Sequence, residues 1–401
     1  TDGYGRADVR RVVYDGFGTD TAEDILNNLA WGPDNLIYGA ASYNGGDVRR
    51  AEGESKPVSV RMRSFRFDPD SLEFESVPET GDFGNCFDDW GNRFFSNAGM
   101  LLMHQVIPGT YLDRNPHLPP TRVVHRSAAS KKLMAQISPP ERWRVVRKQY
   151  WDRWINTTHD MRAARFSDAE LAEKGFVTVG AGCAIYRGAA FPEEFRGDSF
   201  TAEPAGNVVI RLKVRPSGVT FDATAVSDER EFLASTDNGF RPVNVANGPD
   251  GCLYVLDMSR QIIEDPSAIP QDILEHLDVT AGRDRGRIYR VVPDDFKRPS
   301  PPRLSKADTT ALVESLSHAN AWHRETAQRL LVERNDRAAA PLLKATGRDA
   351  ALPQAKLHTM WTLHRLNELD EDTLLKASRD EHAAVREHAA RLAESHFDDS
   401  P

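Results

Sequence analysis

Apolar positions fall into two regimes along the chain. Up to about residue 296 they come in short runs broken by Gly, Pro, Asn and Asp, the texture of β-strands and tight turns. From residue 309 they recur at helical spacing among Ala, Leu, Glu and Arg, as in Ala321–Leu331, Lys356–Leu363 and Ala384–Ala393. KRPSPPRLSKAD (297–308) is a Pro-rich, charged linker between them. The expected organisation is a β-region over 1–296, the linker over 297–308 and a helical region over 309–401.

Within the β-region a unit recurs: strand, a turn of the Asp/Pro-Gly/Asn type, strand. Its copies are Leu29–Gly39, Cys86–Phe95, Ser199–Val209 and Val245–Tyr254. In the last copy Asn247-Gly248-Pro249-Asp250-Gly251 separates two apolar runs; Pro presets φ, Asp can bond the turn backbone, and Gly accepts positive φ. Each copy leads into further strand-like runs, such as Ser64–Pro69 and Val208–Val214. Repeats of about four strands predict propeller blades, with insertions around 105–176 and 259–280 mapping to loops over one face. In the helical region Arg324, Lys356 and Arg386 mark steps of 32 and 30 residues, with helices also expected over 338–346 and 371–378. Paired helices at that period predict a HEAT-type solenoid, expected to continue past Pro401 for want of a polar cap.

Composition narrows the function classes. A net charge of −9 argues against nucleic acid as the main partner, since phosphate binding wants a basic field. No apolar run approaches the roughly 18 residues of a membrane span, and the opening TDGYGRADVRR has no signal-peptide pattern. Cys86, Cys183 and Cys252 stand apart in apolar contexts and read as buried free thiols; no CxxC, CxxCH or zinc spacing occurs. No P-loop, no GxGxxG after a strand and no nucleophile elbow occurs.

The densest charge lies between Glu231 and Pro293. Arg241 enters the last hairpin, Asp257 leaves it, and Arg260, Arg283, Arg285 and Arg287 follow. Two readings stand: a surface salt-bridge cluster, or a guanidinium-lined site for an anion or cofactor. His104, in Leu101-Leu102-Met103-His104-Gln105-Val106, is either a satisfied structural histidine or a general base. The insertion carries Tyr111–Pro116, Trp143, Arg144, Arg147, Trp151 and Trp154, which could stack on a sugar or cofactor or hold the loop to its own scaffold.

The segments WGPDNLIYGA, FRFDPDSLEFE, GNCFDDWGNRFFSN, YRGAAFPEEFRGDSF, EFLASTDNGFRPVN, NGPDGCLYVLDM and AGRDRGRIYRVVP resemble successive motifs of the planctomycete-type membrane-bound dehydrogenases, also called PVC-type haem-binding CxxCH proteins. AWHRETAQRLLVER and VREHAARLAE resemble that family's HEAT region. The family's first part is similar to glucose/sorbosone dehydrogenases, six-bladed propellers using pyrroloquinoline quinone. The resemblance implies that about four blades are present here, with others before Thr1, and that a c-type haem domain belongs outside this chain. It implies an oxidoreductase acting on a sugar-like alcohol or aldehyde, periplasmic or secreted, with pyrroloquinoline quinone and calcium as cofactors. It assigns Arg241 to cofactor or substrate contact; in the oxidoreductase reading Arg241, Arg260, Arg283 and Arg285 hold anionic groups of cofactor or substrate and Asp257 orients them. The relatives' catalytic histidine before the WGPDN hairpin has no counterpart in Glu23–Asn28, which leaves Asp24 as the candidate base. The alternative is a non-catalytic propeller and HEAT scaffold for a glycan or a protein partner on the helical region. An open propeller would expose sheet edges, so poor solution behaviour is expected.

Overall fold

The computed structural model describes residues 6–396 apart from 22–23, 42, 79–80, 115–116, 118–122, 129–133, 160–174 and 176. The first strands are β1 (Tyr14–Phe17), β2 (Asn27–Trp31), β3 (Ile37–Ala40), β4 (Gly46–Arg50), β5 (Val58–Ser59), β6 (Ser64–Phe67) and β7 (Phe74–Val77). They form an accessory sheet, β1-β4-β5, and the first of four main sheets, β2-β3-β6-β7. Next, β8 (Phe83–Phe87), β9 (Arg93–Asn97), β10 (Met100–Gln105) and β11 (Val124–Arg126) make a second four-stranded meander. A third sheet holds β12 (Cys183–Ile185), β13 (Ser199–Glu203), β14 (Val208–Ser217) and β15 (Thr220–Ala225), with β16 (Leu233–Ala234) also on β14. The fourth is β17 (Pro242–Asn247), β18 (Leu253–Asp257) and β19 (Arg287–Val291). All named pairings are antiparallel.

Cores lie between successive sheets, and strand periodicity builds them. Along β14, Val208, Ile210 and Leu212 join Phe94, Leu101 and Leu102 of the preceding sheet. Val209, one residue out of phase, joins Val245, Leu253 and Val255 of the next. Both faces of this strand are therefore buried, which explains its unbroken apolar run.

Three of the four recurring hairpins join the first two strands of a sheet: β2–β3, β8–β9 and β17–β18. Ser199–Val209 does not; it joins β13 to β14, one strand further out. The equivalent connection there is Tyr186–Asp198, with a short 3-10 turn at Glu193–Phe195. The propeller-like repeat is thus out of step by one strand at its third copy.

The insertion after β10 holds α1 (Gly109–Asp113) and α2 (Arg142–Thr158), and the insertion after β18 holds α3 (Gln271–Leu274). The two meet where Trp143 packs with Ile262, Ile269 and Ile273. Helices α4 (Thr309–Ser315), α5 (Ala321–Glu333), α6 (Ala340–Asp349), α7 (Pro353–Arg365), α8 (Glu371–Ala377) and α9 (Ala383–Ala393) pair as α4/α5, α6/α7 and α8/α9. Asp308, Asn320 and Asp370 cap their helices through side-chain oxygens, as their types favour. Leu304 and Ala307, inside the expected linker, pack against the helical core.

Candidate functional site

The hairpin turns repeat at the level of atoms. In Gly32–Tyr38 the Asp34 carboxylate accepts from the Leu36 N–H (3.2 Å) and from the Tyr38 hydroxyl (2.6 Å). In Gly248–Tyr254 Asp250 does the same with Cys252 (3.1 Å) and Tyr254 (3.1 Å). Asp88 accepts from the N–H groups of Trp90 and Asn92, both at 2.9 Å. The left-handed position falls on Asn35, Gly91 and Gly251.

These turns share one end of the β-region, and the helices dock on them. Gln328 of α5 donates to the Pro33 carbonyl (2.9 Å), and Asn35 donates to the Trp361 carbonyl (3.3 Å). Asn320 and His323 donate to the Gly248 (2.9 Å) and Pro249 (2.8 Å) carbonyls. Trp90 stacks on His382 at 4.1 Å. His388 lies between Trp361, whose indole N–H donates to Nδ1 (2.8 Å), and the Trp90 carbonyl, which faces Nε2 at 2.9 Å. Burial holds His388 down to about 4, so it is the neutral Nε2–H tautomer. At the centre Asp89 meets Arg324, Arg196 (2.8 Å) and Arg187 (3.8 Å). Burial opposes its charge, but the three guanidiniums prevail and hold Asp89 below the usual carboxylate range.

Beside this joint runs a polar groove of about 1370 Å³. The β-region contributes Asp34, Leu36, Arg66 and Asp70, the insertion Tyr111 and Arg114, and the helices Glu333, Asn335, Arg337, Trp361, His364, Arg365, Asn367, Arg391 and Glu394, among others. Ion-pair clasps cross it. Arg365 grips Asp68 through two bonds (2.6 and 2.7 Å) and reaches Asp70 (2.7 Å), and Arg114 and Tyr111 both donate to Glu394 at 2.8 Å. Arg365 holds Asp68 down to about 2. Carboxylates and guanidiniums alternate with two aromatic rings, an arrangement suited to a ligand bearing many hydroxyl groups.

Residues 1–295 match the family model described as "Domain of unknown function (DUF7133)". The chain belongs to this family. No curated protein matches it. Among solved structures it is similar to an oxidoreductase of glucose dehydrogenase type from Thermus thermophilus, at 15% identity over 58% of each chain, with a TM-score of 0.29. Two further structures named glucose dehydrogenase match at 16% identity. One covers 59% of this chain and 80% of its own (TM-score 0.29), the other 68% and 83% (TM-score 0.30). At these TM-scores the likeness assigns no residue a role, and the match spans 58% of the Thermus chain.

Of the site residues expected from sequence within the DUF7133 region, Arg241, Asp257 and Arg260 are brought together, whereas His104 and Asp24 have other partners. Arg241 has no exposed surface. Its guanidinium donates to the carbonyls of Arg260 (2.9 Å), Gln261 (2.8 Å) and Pro204 (3.1 Å) and to the Glu141 carboxylate. It clamps two insertions to the third sheet. Asp257 is buried and accepts from the N–H groups of Arg241 and Ser259, each at 2.8 Å. Arg260 turns back on the carbonyls of Met258 (3.3 Å) and Ser259 (3.1 Å), while Arg283 and Arg285 are exposed. His104 is buried between Phe94 and Phe221, with Nδ1 3.0 Å from the Thr220 hydroxyl, and burial lowers it to about 4. Asp24 accepts from Thr21 at 3.0 Å in the turn before β2.

Arg241 is not placed to hold pyrroloquinoline quinone. A polycarboxylate cofactor needs cationic donors facing open space, and the Arg241 guanidinium is enclosed by backbone carbonyls and Glu141. For calcium, no cluster of three His, Cys, Asp or Glu among the described residues is placed to hold a metal ion. The Trp–Arg grouping of the insertion is internal as well: Arg144 and Arg147 lie over Trp143 at 4.7 and 4.6 Å, and Arg147 pairs with Glu264 at 2.7 Å. Asn115 and Pro116 of the Tyr111–Pro116 motif lie outside the described residues. Sequence reasoning missed the docking role of the hairpin turns and the groove beside it. The recurring Asp at each turn was the available signal.

Proposed function

We propose that this chain is the sugar-recognising part of a dehydrogenase-like oxidoreductase, built as a propeller-like β-region with HEAT-like helical repeats and acting in the periplasm or outside the cell. The groove between the two regions carries the reading. It combines volume, paired donors and acceptors, and the rings of Trp361 and Tyr111. The resemblance of the β-region's motifs to glucose/sorbosone dehydrogenases supports a sugar-like alcohol or aldehyde as the ligand class. Redox chemistry is proposed to fall to a group outside these residues, a c-type haem domain, so no step here runs through Arg241 or a bound quinone.

A second reading rests on the same groove. A non-catalytic scaffold would use it for a glycan and the helical region for a protein partner. The observation favouring it is that Arg241, Asp257 and His104 are all engaged in holding the fold.

Calorimetric titration of the chain with mono- and oligosaccharides, alongside dye reduction by the haem-bearing protein with the same sugars, tests both. Saturable binding weakened at least tenfold by Arg337→Ala with Glu333→Ala, together with sugar-dependent dye reduction, is the expected result. Binding without dye reduction favours the scaffold. No saturable binding by any sugar overturns the sugar reading.

A further inference from the structure

Cys86 and Cys183 lie 97 residues apart in sequence, yet their sulfurs are 3.8 Å apart. They sit on β8 and β12, which pack side by side as the first strands of adjacent sheets. The joint around them is tightly knit. Ser96 donates to the Phe83 carbonyl (3.1 Å) and the Ala181 carbonyl (3.0 Å), and the Gly180 N–H reaches the Asn97 carbonyl at 3.2 Å. Gly84 clears the approach. It holds φ +64°, and a Cβ there would stand 2.8 Å from the Cys183 sulfur and 3.0 Å from its backbone nitrogen. Any side chain at residue 84 would fill the space the Cys183 thiol occupies.

We infer that Cys86 and Cys183 form a reversible disulfide that staples the second and third sheets. The sulfurs are in van der Waals contact, and a covalent bond of about 2 Å needs only a modest side-chain rotation of each. The accessibilities set the order of events. Cys86 is partly exposed and Cys183 is buried. The Cys86 thiolate attacks an external disulfide, releases one thiol and carries the other half as a mixed disulfide. The Cys183 thiolate then attacks the Cys86 sulfur and expels the second thiol. One external S–S bond is broken and one internal bond formed. The two cysteines lose two protons and two electrons, and the external disulfide is reduced to two thiols. The closed loop contains the whole 107–176 insertion, so the link restricts the unfolded chain over a long span and stabilises the fold accordingly. Cys252, buried in the turn before β18, has no part in it.

The test is to incubate the folded chain with oxidised glutathione, block remaining thiols and digest without reduction. A Cys86–Cys183 cross-linked peptide is expected, with accessible thiols in the denatured protein falling from three to one. The oxidised protein should melt several degrees higher than the reduced one, a shift that survives Cys252→Ser. Cys183→Ser should instead trap glutathione on Cys86. Three thiols surviving oxidation of the native protein, or a link through Cys252, would overturn the proposal. Because the wild-type chain carries the main readout, a variant that fails to fold leaves the test intact.

Discussion

Arg241 shows how one side chain can look like a ligand site in sequence and be a clamp in space. Its guanidinium meets three carbonyls and Glu141, and Arg144 pairs with the same carboxylate at 2.7 Å. Replacing it with Met strands the three carbonyls away from water and leaves the buried Glu141 to Arg144 alone. A loss of about 3–5 kcal/mol is expected, which urea denaturation would measure. Arg241→Lys should recover little, because an ammonium group cannot match the planar fork. A stability unchanged in Arg241→Met would return the residue to the ligand-binding candidates. What made Arg241 conspicuous in sequence was its place at a strand entrance. Nothing local to that position says that Glu141 comes to meet it.

At the scale of elements, the hairpin turns and the helices define each other. The turn chemistry of GPDNLIY and GPDGCLY was legible because it is local. What the turns dock against was not. His388 makes this testable. Its Nδ1 accepts from Trp361 and its Nε2–H faces the Trp90 carbonyl, so protonation would set two N–H groups against each other. Its folded value of about 4 lies below the ordinary 6.5, so between these values the unfolded chain binds the extra proton. Stability from this residue is therefore full above about 6.5 and is lost as pH falls towards 4. His388→Gln should flatten the wild-type dependence of unfolding free energy across that window, by roughly a few kcal/mol over its span. Parallel curves for the two proteins would show that the histidine does not carry the effect. Other buried groups, such as Asp88, raised by burial to about 6, are common to both proteins and cancel in the comparison.

Across the whole molecule, Asp89 is the electrostatic keystone of the joint. Arg324 has no exposed surface, and Arg187 also reaches Glu325 at 2.6 Å. Asp89→Ala leaves Arg324 buried without its carboxylate, a loss of about 3–5 kcal/mol. Calorimetry is expected to show one transition for the wild type and two for Asp89→Ala, with the helical region and the β-region melting separately. One unchanged transition would mean that the turn contacts at Pro33, Trp90 and Pro249 suffice to couple the regions. The groove beside the joint depends on the same docking, since its walls come from both regions. Among the described residues, no helix is long and apolar enough to cross a membrane.

The sequence by itself determined the antiparallel strands with their recurring turns, and the helical character of the second region, because strand alternation, turn chemistry and helical spacing are written within a few residues. It also marked Asp34, Asp88 and Asp250 as turn residues. Only the tertiary structure decided what those turns are for, which arginines are enclosed, and that Cys86 and Cys183 touch. Each of these depends on contacts between residues far apart in the chain, fixed by how whole sheets and helices pack. It also showed that the third hairpin sits one strand further out. A strand-turn-strand pattern reads the same at any position in a sheet, so its place is settled only by the neighbours it finds.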